Sequence, residues 1–165
     1  MPEIRQNPVT KEWVIIAAER AKRPEDFLKK DAGAKELPKH DEDCPFCTGN
    51  EKLTPPEIMS KKSKNGDWSL RVVPNKYAAL IPEGEAIREE DSDFFRSMEG
   101  VGQHEVVIET PVHNLSFGQY SDRKMTEIVT AFRERYVDLI KDERFKLINI
   151  FRNNGRAAGT SLEHP

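Results

Sequence analysis

Apolar side chains in one stretch of this chain recur at a helical spacing. Met125, Ile128, Val129, Phe132, Tyr136, Leu139 and Ile140 fall at offsets 0, 3, 4, 7, 11, 14 and 15. That places all seven on one stripe and predicts a helix from Ser121 to Lys141. Ser121 suits the N-cap, and Asp122 suits the positive end of the helix dipole. Elsewhere the apolar residues come in short runs. Trp13-Val14-Ile15-Ile16-Ala17-Ala18 predicts a buried strand rich in β-branched residues. Trp68 to Val73 predicts a second, stopped by Pro74, and His104 to Glu109 a third, ended by Thr110-Pro111. Phe145 to Arg152 predicts a fourth. Its apolar residues lie on both faces, which places it at the centre of its sheet. The polar stretches Lys29 to Asp43 and Glu51 to Asp67 read as exposed connections. Strands first, then a long helix, then a central strand predict an α+β domain with the helix packed on an antiparallel sheet.

Composition narrows the class. The 165 residues are 36% hydrophobic and 33% charged, enough for one domain with a core. Mean hydropathy is −0.72. The 26 basic and 29 acidic side chains give a net charge of −3. Both signs are interspersed, so no clustered positive surface is available to displace counterions from a nucleic acid. No apolar run reaches the roughly 18 residues of a membrane span. The start, Met1-Pro2-Glu3-Ile4-Arg5, lacks the apolar segment of a signal peptide. The expectation is a soluble cytoplasmic protein with neither nucleic acid nor membrane as partner.

The two cysteines, Cys44 and Cys47, bracket Pro45-Phe46. Two thiolates at this spacing can share one tetrahedral ion if two more donors close the site. The candidates are His40, His104, His113 and His164. His40 sits in a charged connection, and His104 heads a strand where a core histidine bonded to backbone is the simpler reading. His113 follows a strand end, and His164 lies just beyond a glycine-containing loop. The best set is Cys44, Cys47, His113 and His164. The competing readings are a redox dithiol and a pair of buried thiols. The dithiol is the weaker of the two, because Asp41, Glu42 and Asp43 would raise a thiol pKa rather than lower it.

The loop is Asn153-Asn154-Gly155-Arg156-Ala157-Ala158-Gly159-Thr160-Ser161. Glycines and small side chains let backbone N–H groups approach a phosphate, and two amides and a hydroxyl add donors. Arg20, Arg23 and Arg156 can supply counter-charge. An ordinary glycine-containing surface turn is the bland alternative.

Together these segments resemble the N-terminal half of galactose-1-phosphate uridylyltransferases, within the histidine-triad superfamily. The resemblance runs nearly end to end. It includes Arg5-Gln6-Asn7-Pro8-Val9-Thr10 with Trp13-Val14, Arg20-Ala21-Lys22-Arg23-Pro24, and Cys44-Pro45-Phe46-Cys47 with Gly49-Asn50-Glu51. It continues through Arg71-Val72-Val73-Pro74-Asn75-Lys76-Tyr77, Gly102 to Glu109 and Pro111-Val112-His113, and ends with Asn153-x-Gly155-x-x-x-Gly159-x-Ser161-x-x-His164-Pro165. It implies a half-barrel of antiparallel strands with a packed helix, and zinc on Cys44, Cys47, His113 and His164. It implies nucleotide and phosphate contacts from Arg20, Arg23, Asn75, Asn153, Gly159 and Ser161, and a homodimer. The implied substrates are a UDP-sugar and a sugar 1-phosphate. In the implied reaction a histidine attacks the α-phosphorus, releases sugar 1-phosphate and holds the nucleotidyl group until a second sugar 1-phosphate collects it. In the family that histidine follows His-Pro, and here the sequence ends at Pro165. His164 matches the ligand position, not the nucleophile. The expectation for residues 1–165 is therefore an N-terminal uridylyltransferase-like domain that stops before the nucleophile and lacks transferase activity alone. The runner-up activity is an ADP-sugar phosphorylase or adenylyltransferase of the same family. A zinc-stabilised nucleotide-binding fragment without catalysis is the third reading.

Overall fold

Pleated pairing of short strands accounts for most of the architecture. The computed structural model describes residues 1–18, 37–90, 92–154, 158 and 162–164. Seven strands and one long helix are formed there. They are β1 Glu3–Gln6, β2 Trp13–Ile16, β3 Met59–Lys62, β4 Trp68–Pro74, β5 Arg88–Glu90, β6 Arg96–Glu99, β7 Glu105–Ile108 and α1 Asp122–Leu139. They divide between two compact units. One comprises Met1–Arg23, Asn75–Glu105 and Tyr136–Ile148; the other comprises Pro24–Pro74, Val106–Arg135 and Asn149–Pro165.

The first unit carries a four-stranded sheet in the order β2-β1-β6-β5. β1 pairs antiparallel with β2 and with β6, and β5 pairs antiparallel with β6. Asn7 forms the turn between β1 and β2. Its Oδ1 accepts the Val9 and Thr10 N–H groups, and its own N–H donates to Glu12 O at 2.8 Å. Side-chain acceptance of this kind replaces a backbone turn bond. β2 was expected to be buried, but Val14, Ile15 and Ile16 are exposed. It lies at the sheet edge. Its β-branched residues suit a pleated surface whether or not anything covers it.

The second unit carries a three-stranded sheet, β3-β4-β7, with β4 in the middle. Leu70 and Val72 of β4 are fully buried against Ile128 and Ala131 of α1, with Met59, Val107, Tyr120, Met125 and Phe132 around them. Trp68 and Val73 join Ile108 in a second cluster with Phe46 and Val106. Trp68 has the same parity as Leu70 and Val72, yet it belongs to this other cluster. The reason is a register shift. Lys61 pairs with Leu70 and Lys62 with Trp68, leaving Ser69 as the extra residue. A bulge of one residue inverts the alternation beyond it. Ser69 then offers its hydroxyl to Glu127 Oε1 of α1 at 2.5 Å.

α1 starts where Ser121 predicts. The Met125 N–H donates to Ser121 O at 2.9 Å, and the Lys124 N–H to Ser121 Oγ at 3.3 Å. The core face is Met125, Ile128, Ala131 and Phe132, while Val129, Tyr136 and Ile140 of the predicted stripe are exposed. Lys124 Nζ bridges Ser69 O and Glu127 Oε2, both at 2.6 Å. No helix among the described residues is long and apolar enough to cross a membrane.

Two further expectations differ from the structure. Phe145–Arg152 is not a strand; Leu147 is 86% and Phe151 65% exposed. A strand is defined by a neighbour that takes its backbone hydrogen bonds, and no described strand pairs with this segment. Its apolar pattern reports what the side chains favour, not whether a partner strand is present. The polar stretch 51–67 holds β3 and a 3₁₀ turn, Glu51–Leu53. Met59-Ser60-Lys61-Lys62 offers one apolar side chain, so it forms a strand through pairing with β4 rather than by pattern.

Ile128→Ala should cost about 2–5 kcal/mol in urea unfolding, because the position is fully buried against β4. The polar bridge predicts a pH effect. Burial pushes the Glu127 carboxyl up, but hydrogen bonds from Lys124 and Ser69 outweigh it and hold the group below its ordinary range. A lowered folded pKa contributes stability above the unfolded value, and that stability is lost as pH falls through the folded value. Melting curves between about pH 6 and pH 3 should therefore fall less steeply for Glu127→Gln than for wild type.

Candidate metal centre

The loop that carries both cysteines is a chain of tight turns. Cys44 N–H donates to Asp41 O at 3.3 Å, Cys47 N–H to Cys44 O at 3.2 Å and Asn50 N–H to Cys47 O at 3.2 Å. The Asn50 side-chain amide ties the loop together by donating to Asp41 O at 3.1 Å and Cys44 O at 2.8 Å. Gly49, at φ +93°, supplies the left-handed residue where the loop reverses. Its N–H donates to Glu51 Oε1, which also accepts the Trp68 indole N–H at 2.7 Å. The cysteine loop is thereby anchored to β4.

His113 follows β7 after Thr110 and Pro111. Its N–H donates to Lys39 O at 2.9 Å, and the neighbouring Asn114 amide donates to Leu37 O at 2.8 Å. His164 arrives from the far end of the chain.

All four side chains are buried, and their donor atoms lie within 4.8 Å of one another. Cys47 Sγ is 3.5 Å from His113 Nδ1 and 3.7 Å from His164 Nδ1. Cys44 Sγ is 3.7 Å from His164 Nδ1, and the two Nδ1 atoms are 3.4 Å apart. These spacings can be tested against an ion. Bonds of about 2.3 Å to sulfur and about 2.0–2.1 Å to nitrogen in a tetrahedron separate two nitrogens by about 3.4 Å, and nitrogen from sulfur by about 3.6 Å. The donor set fits a tetrahedral metal.

The surroundings orient the donors. His164 Nε2–H donates to Thr110 O at 2.8 Å, which leaves the Nδ1 lone pair facing the two sulfurs. The Asp41 N–H points at Cys47 Sγ at 3.4 Å, a contact that suits a thiolate. Phe46 and His113 each meet the His164 ring edge to face, at 5.9 and 5.3 Å between centroids. Burial pushes the Cys44 thiol up to about 11, and the neighbouring Cys47 adds to the rise. Burial also pushes the His164 imidazolium down, only partly countered by the Thr110 carbonyl. A site that disfavours isolated charge of either sign accepts thiolates when a cation balances them.

The other candidates lie elsewhere. His40 contacts Thr48 O at 2.8 Å and takes no part in the four-donor group. His104 belongs to the first unit, where its Nδ1 accepts the Ala79 N–H at 2.9 Å and its Nε2 lies 3.1 Å from Asn75 Nδ2. Asn153 is exposed. Arg20, Arg23, Arg156, Gly159 and Ser161 lie outside the described residues. Several supporting groups carry no signal in the sequence. Thr110 acts through its backbone carbonyl. Arg152, at the base of the glycine loop, pairs with buried Glu109 at 2.9 Å and lies 4.3 Å over the Phe117 ring. Both residues look like ordinary surface charges until the chain brings them together.

A buried Cys₂His₂ group that could hold a metal, together with antiparallel sheets and one long helix, marks an α+β chain of histidine-triad-like fold. Residues 1–165 match the family described as galactose-1-phosphate uridyl transferase, N-terminal domain, and the chain belongs to that family. It is 35% identical over 164 residues to an ADP-glucose phosphorylase of Arabidopsis thaliana, covering 99% of this chain and 46% of that protein. It is 31% identical over 165 residues to a galactose-1-phosphate uridylyltransferase of Thermotoga maritima, covering 100% of this chain and 45% of that one. A crystal structure of an Arabidopsis thaliana ADP-glucose phosphorylase with bound ADP-glucose superposes with a TM-score of 0.62 at 30% identity, over 99% of this chain and 46% of the other. The chain thus spans about half the length of these relatives.

Cys47→Ser and His113→Ala should each lose bound metal, read by elemental analysis. A chelator should lower the Tm of wild type and leave both variants nearly unchanged, because metal binding and folding are coupled.

Proposed function

We propose that this chain is the nucleotide-binding, zinc-bearing half of a nucleotidyltransferase that moves UMP between UDP-hexose and hexose 1-phosphate. One observation carries the reading. His164, at the far end of the glycine loop, commits Nε2 to the Thr110 carbonyl and aims Nδ1 at both sulfurs. A ring so committed serves as a ligand and anchor, not as a nucleophile. The four-donor group therefore fixes the end of the loop, and the residue that follows His-Pro in the family is the one left to react. Two sulfurs and two nitrogens at tetrahedral spacing favour zinc. Zinc held by Cys44, Cys47, His113 and His164 would supply a structural clamp on the segment that ends in His164.

In this reading Arg20, Arg23, Asn75, Asn153, Gly159 and Ser161 bind the nucleotide and its phosphates. Arginine forks and backbone donors stabilise charge on the phosphoryl oxygens. A histidine nitrogen forms a bond to the α-phosphorus, and the bond from that phosphorus to the bridging oxygen breaks. Hexose 1-phosphate leaves with the electron pair. A second hexose 1-phosphate reverses the sequence and frees the histidine. The working unit in this reading is a homodimer, as the family resemblance implies.

An ADP-sugar phosphorylase is the second reading. It is favoured by the ADP-glucose phosphorylase, which at 35% is more similar to this chain than the uridylyltransferase at 31%. Calorimetric titration of the metal-loaded chain with UDP-glucose and with ADP-glucose separates the two by the tighter binder. Arg23→Ala should weaken the preferred nucleotide sugar roughly tenfold or more, since a charge-assisted hydrogen bond is lost, while the Tm hardly moves. Binding of neither compound would reject both readings. Full-length protein that binds but forms no nucleotidyl adduct by mass spectrometry would leave a non-catalytic nucleotide-binding domain.

A further inference from the structure

One stretch of the chain is tied at both ends to neighbouring residues just after β7. At the far end the His164 Nε2–H donates to Thr110 O at 2.8 Å. At the near end Arg152 Nη2 lies 2.9 Å from Oε2 of Glu109, the residue before Thr110. Residues 153–163 lie between these two ties. They include Asn153, Gly159 and Ser161, three of the nucleotide contacts in the functional reading. Every residue of both ties belongs to the second unit.

The near tie is electrostatic. Glu109 is 6% exposed, and a buried carboxylate is costly unless a cation stands beside it. Among the described residues no hydrogen bond reaches its Oε2, so the contact with Arg152 holds by charge, which needs no donor alignment. The Tyr120 hydroxyl is also buried without a hydrogen bond. Burial and the Glu109 charge push it up to about 12, so it brings no charge of its own. Phe117 adds a second hold, since the Arg152 guanidinium carbon lies 4.3 Å from the centre of its ring. Arg152 is thus held by a buried anion and an aromatic face, and the next residue is Asn153. We propose that Arg152 is a positioning residue: its pair with Glu109 sets where the stretch carrying the nucleotide contacts begins, as His164 sets where it ends. A segment tied at both ends surrenders less freedom on binding a ligand. The inference rests on the functional reading above, in which Asn153 and the glycine stretch meet the nucleotide and its phosphates. Arg152 itself touches neither substrate nor metal in this account.

The sign of one substitution separates positioning from plain electrostatics. Glu109→Gln removes a negative charge, which by charge alone should favour an anionic ligand. Positioning requires the opposite, because Arg152 is then released. Titration of the metal-loaded full chain with UDP-glucose and ADP-glucose reads Kd. Glu109→Gln should weaken the preferred compound roughly three- to tenfold. Phe117→Leu keeps both charges, alters a half-exposed side chain and removes only the ring face. It should weaken the same compound roughly two- to fivefold. In an Arg152→Met background neither change should have a further effect, because the three side chains act as one unit. Zinc content should stay at the wild-type level in every variant. With ligand at saturation, the phosphorus NMR shifts of the bound diphosphate should move in Glu109→Gln, while the base proton shifts stay as in wild type. Unchanged or tighter binding in both Glu109→Gln and Phe117→Leu overturns the inference, as do losses that add fully to that of Arg152→Met. Phosphorus and base signals that shift together, or zinc lost with affinity, also overturn it, since either describes a general loss of structure. A wild-type chain that binds neither compound rejects the functional reading itself, whereas tight wild-type binding with unaltered variants rejects only the part given to Arg152.

Discussion

The second unit depends on four donor atoms meeting in a space of less than 5 Å: two sulfurs from one loop, one nitrogen from the turn after β7 and one from the end of the chain. Each segment alone has little reason to hold its shape. The cysteine loop has no regular secondary structure, the turn with His113 rests on a few backbone bonds, and His164 lies far away in sequence. The distances among the donors match a tetrahedral ion because three separate supports aim them. Asn50 ties the loop, Lys39 and Leu37 hold the turn, and the Thr110 carbonyl orients His164. The group brings together three segments that regular secondary structure does not join.

The apolar core supplies the frame behind it. β4 is buried on both faces, and the bulge at Ser69 lets one short strand serve two clusters. One cluster packs on α1, and the other includes Trp68 and Phe46. Trp68 then binds Glu51 and Phe46 meets the His164 ring. A single extra residue in β4 therefore joins the helix-facing core to the metal loop. Without the bulge, strict alternation would turn Trp68 towards α1, and the loop would lose its anchor.

Much of the metal centre was legible in the residues. Cys44 and Cys47 are spaced so that they can share an ion, and His113 and His164 stand out because one follows a strand end and the other lies just beyond a glycine-containing stretch. The buried β4 and the capped α1 were legible for the same reason: each satisfies most of its requirements within a continuous stretch. Strand pairing was less visible. β1, β3, β5 and β6 are short and charged, and they exist because a neighbouring backbone accepts their hydrogen bonds. The apolar run at Phe145–Arg152 gives the converse case, since its pattern suits a central strand but none of the described strands supplies a ladder.

The sequence alone determined which side chains can bind a metal, where a helix begins, and the family to which the pattern belongs. All of these are local properties of residue type and spacing. Only the tertiary structure decided that the four donors come within 4.8 Å of one another, and that Thr110 sets the His164 tautomer through a carbonyl. Those outcomes depend on which distant segments arrive at the same point. Backbone carbonyls and pairing partners are alike in every sequence, so nothing in the residue letters marks them in advance.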